Sequence, residues 1–196
     1  VKTKDGNNKI IPGMENMKGQ MKHFAGKENK VGLQNFLIRI AKVIEQRSHS
    51  VEDLLRFMER GDLPIADDGC IIGYKVLRRY HNQDGVYVDC HTKKIQQKVG
   101  SRVFVDEKLV DRNRQNECSN GLHVARRAYI SSFSGDVCVL VKVAPENVVT
   151  VPHRDANKVR VSEYHILAEL PSAMYNRVKQ DLDITNTEEG QILLAK

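Results

Sequence analysis

The chain has 196 residues and a formal net charge of +6, with 40% hydrophobic and 29% charged residues. That length suits one domain, or one domain with an appended helical piece, and the apolar share allows a packed core and argues against wholesale disorder. No apolar run approaches the roughly 20 residues that span a bilayer, and no charged n-region with an apolar h-region opens the chain, so neither a transmembrane segment nor a secretory signal is expected.

Residues 1–30 carry seven Lys, four Gly and few large apolar residues, which predicts a basic, flexible lead-in. From Val31 the pattern changes. Leu33, Phe36, Leu37, Ile40, Val43 and Ile44 recur at steps of three and four, one apolar stripe of a helix over about 32–47. Ser50 reads as an N-cap, Val51, Leu54, Leu55 and Met58 as a second stripe, and Gly61 as the stop. The expectation is a helical hairpin over 31–62 with a short polar turn near 48–50.

A core domain follows over 63–182. Pro64 and Asp67-Asp68-Gly69 form a turn, and residues 70–77 a strand. Val86–Val88 and the stretch 99–105 supply further strands, and 106–120 a long surface loop. A short strand at 121–124 and a short helix at 126–133 come next. Val137–Val143 is apolar almost without a break, the pattern of a strand covered on both faces. Strands at 148–151 and 159–170 and a helix at 172–182 precede a polar C-terminal tail, 183–196. Helices first and then a run of strands argue for an α+β fold: an N-terminal helical hairpin packed on a mixed, mostly antiparallel sheet, with one or two short helices.

Cys70, Cys90, Cys118 and Cys138 form no CxxC pair, and a chain this long needs no disulfide. They read as reduced thiols of a cytosolic protein. The positive charge allows an anionic partner, nucleic acid or a lipid surface. Lys93, Lys94, Lys98, Arg102, Arg112 and Arg114 could meet phosphates; the bland alternative is a solvated surface.

Two stretches carry more than composition. Residues 33–79 hold a helical segment ending LLRFM, the turn PIADDG and the strand IIGYKVL. Residues 117–167 hold ECSNGLHV and VKVAPENVVTVP. Between them lie Asp89–Thr92, Gly100–Val103 and Val105-Asp106. In this order and spacing, over about 33–167, the chain resembles the rIIB-like (B-type rII) proteins of tailed bacteriophages. The resemblance implies an accessory protein of the host cytoplasm that affects lysis timing and exclusion by resident prophage defences. It also implies an rII A-type protein as partner and peripheral association with the host membrane. It supplies no biochemical activity. This chain departs from the pattern near 89–98, where family members tend to have Gly after the Thr.

The CSNGLHV box offers several chemistries. Cys118 and His123, with Cys90 and His91, could hold a metal, although adjacent Cys90 and His91 would point to opposite faces if they lay on a strand. Cys118 and His123 could be a nucleophile and its base, with no third residue identifiable. Ser119-Asn120-Gly121 reads most plainly as a turn whose backbone N–H groups bind an anion, with His123 as side-chain donor. The facing strand would add Tyr74 for stacking or its hydroxyl, and Lys75 for charge. In outline the strands also resemble small ADP-ribosyltransferase and RNA phosphotransferase folds, with Glu163 or Glu169 as the ribose-orienting carboxylate. The leading expectation is a non-enzymatic binding protein with no cofactor and no metal. It takes a protein partner, a nucleotide or a nucleic acid. The alternative is an enzyme acting on a nucleotide or nucleic acid through His123.

Overall fold

The computed structural model describes residues 6, 8, 10–11, 13–17, 31–59, 61–81 and 83–195, and of 45–50 the backbone alone. Most of the basic lead-in lies outside the described residues. Within it, a 3-10 turn at Met14–Met17 buries Met17 completely, and Ile11 is buried in the same core.

Helix α1 runs without interruption over Val31–Glu59. The predicted turn near 48–50 is therefore corrected: one helix stands where a hairpin was expected. The physical reason is phase. At about 100° per residue, Val51, Leu54 and Met58 continue the stripe of Phe36, Ile40 and Val43. Nothing in Arg47-Ser48-His49-Ser50 breaks a helix, since Ser in an interior is merely a weak helix former. Phe36, Ile40, Leu54 and Leu55 are almost fully buried, each worth roughly 1.5–3 kcal/mol of apolar transfer.

The rest is a sheet. Its strands are β1 (Ile71–Arg79), β2 (Val86–Asp89), β3 (Gln96–Lys98), β4 (Arg102–Phe104), β5 (Leu122–Ala125), β6 (Val137–Val143), β7 (Val148–Thr150), β8 (Lys158–Val161) and β9 (Glu163–Glu169). Every pairing among them is antiparallel. The order is β4-β9-β6-β1-β5-β8-β7, with β2 added to β1 and β3 to β2. The stretch expected as one strand over 159–170 is split at Ser162 into β8 and β9. Those two strands are four places apart in the order, which in a flat sheet is about 19 Å at 4.8 Å per strand. One intervening residue cannot bridge that gap at about 3.5 Å per residue. The sheet must therefore curl strongly. The Val105 N–H bonding the Ser162 carbonyl at 2.9 Å fits that curl.

Alternation along the strands divides the core in two. One face, with Leu77, Val124, Val139, Val141, Tyr164 and Ile166, packs with α1. The other, with Tyr74, Val76, Cys138 and Leu140, is covered by short helices α2 (Arg127–Ile130), α3 (Ser172–Lys179) and α4 (Glu188–Leu194). β6 carries side chains into both cores, which explains its unbroken apolar run. The architecture is α+β.

Candidate functional site

The family-like motifs first prove to be turns. Gly69 adopts φ +80, and a Cβ there would stand 2.4 Å from the Phe36 backbone nitrogen, so the PIADDG turn seats directly on α1. Asp68 accepts from the Cys70 N–H at 3.0 Å and from Lys142 Nζ at 2.8 Å. Asp89 gathers the N–H groups of Thr92, Lys94 and Ile95 and the Thr92 hydroxyl. These bonds outweigh its burial and hold its pKa at about 2. Asp106 caps the 3-10 turn after β4 by accepting from the Lys108 N–H at 2.9 Å.

The CSNGLHV box begins at the end of the long loop 106–120 and runs into β5. Gly121 has φ +135, and a Cβ there would meet Val110 Cγ1 at 2.8 Å, so glycine is needed at this position. Cys118 and Asn120 are exposed, and Ser119 is half-buried. The loop before the box is fastened from beneath by Arg160, which the sequence reading missed. Arg160 is fully buried. Its Nη1 donates to the Asn116 carbonyl at 2.8 Å and its Nη2 to the Asn113 carbonyl at 2.7 Å, and Asp111 lies 3.8 Å away. Asp111 in turn accepts from Ser119, Asn116 and the Asn113 N–H, which holds its carboxyl at about 2.

His123 pairs with Arg160 across β5–β8, and Ala125 pairs with Lys158. Partners in an antiparallel pair share a face, so His123, Arg160 and Lys158 lie on the face opposite α1. Lys158 is buried. Its Nζ donates to the Tyr129 hydroxyl at 2.8 Å, lies 3.6 Å from Asp155 and reaches Cys118 Sγ at 4.0 Å. The His123 ring is half-buried and has no hydrogen-bond partner among the described residues. Burial, then the positive charges of Lys75, Arg160 and Lys158, push its pKa down to about 3. It is a neutral imidazole that shares its sheet face with Arg160 and Lys158, with no carboxylate among the groups that shift it.

Lys75 approaches from the other side of β1. Its Nζ donates to the His123 carbonyl at 2.8 Å and lies 5.2 Å over the Tyr164 ring, and burial lowers its pKa to about 8. Tyr74 is not with them. It is fully buried, and its hydroxyl donates at 2.8 Å to Asp62, which also meets Arg127 at 3.1 Å. Burial raises the pKa of that Asp62 carboxyl. A cavity of about 20 Å³ adjoins Asp62, Tyr74 and Arg126, room for about one water.

The basic stretch is divided. Arg102 pairs with Glu163 at 2.5 Å, Arg112 with Glu107 at 2.8 Å and Arg114 with the buried Asp53 at 2.7 Å. Lys93, Lys94 and Lys98 stand exposed on and beside the β2–β3 hairpin, with no ion pair among the described residues. Glu163 also faces His165 at 3.3 Å. Glu169 holds Arg79 at 2.7 Å and the Tyr87 hydroxyl. Both glutamates sit on β9, three places from β5 in the strand order.

Among the described residues, all four cysteines are free thiols, no cluster of three metal-ligating side chains occurs, and no helix is long and apolar enough to cross a membrane. No solved structure matches this chain. A curated protein, protein rIIB of Enterobacteria phage T4, is 31% identical over 125 residues, which cover 62% of this chain and 38% of that relative. The matched part is thus well under half of the relative's length. The family model described as Bacteriophage T4 protein rIIB matches residues 30–175. That span takes in α1, every strand, the CSNGLHV box and the cations beneath it, and the chain belongs to the bacteriophage T4 rIIB family.

Proposed function

We propose that this chain is an anion-binding domain of an rIIB-type phage accessory protein, acting by binding rather than by catalysis. The ligand sits at the CSNGLHV box, against His123 and Lys158. The observation that carries the reading is the His123 surroundings: a neutral, unpartnered imidazole on one sheet face with Arg160 and Lys158, its own carbonyl held by Lys75 from the other face. An anion there would offset like charges held close together in a partly desolvated place. A base or an acid–base pair is poorly supported, because a histidine with a pKa of about 3 is a weak base. The glutamates available for ribose chemistry are engaged on β9.

In the infected cell the bound state would modulate lysis timing or counter a host defence, together with an rII A-type protein and at the membrane periphery. Thermal unfolding with inorganic pyrophosphate, in the wild type and in His123→Ala, tests the binding step. A ligand at 100 times its dissociation constant stabilises by about 2.7 kcal/mol. A raised midpoint in the wild type that is lost in the variant is the expected result. A midpoint unmoved by pyrophosphate in both proteins would overturn the reading.

A further inference from the structure

Three rings adjoin the cations around His123. His91 and Phe133 meet edge to face with centroids 5.8 Å apart, and Tyr129 tilts against Phe133 at 5.2 Å. Lys158 Nζ lies 4.7 Å over the Tyr129 ring while donating to its hydroxyl. The contacts run from His91 through Phe133 and Tyr129 to Lys158, which lies on the same sheet face as His123. His91 is exposed, and Phe133 and Tyr129 are half-buried, so the aromatic end is open to solvent while the cationic end is recessed.

The segment bearing Phe133 is held in place. A Cβ at Gly135 would stand 2.4 Å from Val76 Cγ1 and 2.8 Å from the Leu77 carbonyl, so the turn packs directly onto β1. The Phe133 N–H bonds the Ile130 carbonyl at 3.1 Å. At the other end, Arg160 Nε is buried with no hydrogen-bond partner. A bare phosphate would use the cations and leave the rings idle. A planar base attached to that phosphate has a π-face to lay on them, as bases do on aromatic shelves in single-strand binders.

We propose, resting on the anion site above, that the ligand is a nucleotide, its phosphate toward Lys158 and His123 and its base against His91 and Phe133. A free mononucleotide and the phosphorylated 5′ end of a strand share this chemistry.

The experiment is a titration of the whole chain, followed by amide and imidazole NMR shifts. The probes are pyrophosphate, ribose 5-phosphate, the four nucleoside monophosphates and a 5′-phosphorylated tetranucleotide. His91→Ala and Phe133→Leu are run beside the wild type, and His91 is exposed enough that its loss leaves the fold intact. The expected result is at least fivefold tighter binding of a nucleoside monophosphate than of ribose 5-phosphate. That gain should vanish in His91→Ala, with shifts at both His123 and Phe133. Tighter binding still of the tetranucleotide, with the same dependence on His91, would assign the ligand to a strand end. Equal binding of ribose 5-phosphate and nucleotides, indifferent to both variants, overturns the nucleotide proposal and leaves the anion site standing. No binding of any probe overturns both.

Discussion

Arg160→Ala is the substitution with the best-defined consequence. The guanidinium is fully buried and donates to two backbone carbonyls, those of Asn113 and Asn116, at 2.7 and 2.8 Å. Removing it leaves both acceptors without that donor and takes the cation from beside Asp111. Hydrogen bonds from a charged group are worth about 1.5–3 kcal/mol each, and breaking a buried charge pair costs about 3–5 kcal/mol. Desolvation of Arg160 offsets part of the pair's worth but none of the cost of stranding the carbonyls. The expected loss is therefore about 3–5 kcal/mol, a large part of an ordinary domain's stability. At about 2–4 °C per kcal/mol, the midpoint should fall by roughly 10 °C. Arg160→Lys keeps the charge but cannot fork to both carbonyls, so it should lose about half as much. Urea unfolding gives the free energy, and amide exchange over 111–121 locates the damage. A loss below about 1 kcal/mol, with exchange over 111–121 unchanged, would refute the assignment of Arg160 as the fastener of the loop.

His49→Pro should cost about 3 kcal/mol, because it falls inside one continuous helix; thermal melting at wild-type stability would restore the hairpin. Gly69→Ala forces a Cβ within 2.4 Å of helix backbone at φ +80 and should cost about 2–4 kcal/mol, read by urea unfolding. The His123 pKa is lowered in the fold to about 3 from 6.5, so the unfolded chain binds the extra proton. Stability should therefore fall as pH drops from about 6.5 toward 3, and His123→Ala should flatten that slope in pH-dependent melting. Asp89 and Asp111, each held at about 2, stabilise above the ordinary carboxylate range and lose that contribution as pH falls from about 4 toward 2. Asp89→Asn and Asp111→Asn should each reduce the acid sensitivity seen in the same melts.

Much of the secondary structure is visible in periodicity. Val137–Val143 emerges at its expected bounds because both of its faces are covered. The helical stripe was legible too, but not its continuity, because a polar Arg-Ser-His-Ser stretch resembles a turn unless the phase across it is followed. β3 was missed because Gln96–Lys98 has only Gln97 facing inward. Helix α4 was missed because its main signal is local: the Thr187 hydroxyl accepts from the Gly190 N–H at 3.1 Å, ahead of a short apolar run. The site was half legible. His123, Gly121 and Cys118 stand out as residue types at a turn. Arg160 and Lys158 do not, because Lys-Val-Arg-Val alternation reads as a solvated strand face, and only the loop folded over that face buries them. Tyr74 and Lys75 are neighbours in sequence and face opposite sides of β1: Tyr74 is buried with its hydroxyl on Asp62, and Lys75, on the α1 side, reaches the box only through the His123 carbonyl.

The measurement that bears most directly on this account is an NMR pH titration of the His123 imidazole in phosphate-free buffer. A ring held neutral by burial and by Lys75, Arg160 and Lys158 should show no protonation down to about pH 4, its pKa being about 3. A midpoint near 6.5, the value of a solvated histidine, would mean that neither burial nor the neighbouring cations act on the ring, and the anion site would lose its foundation.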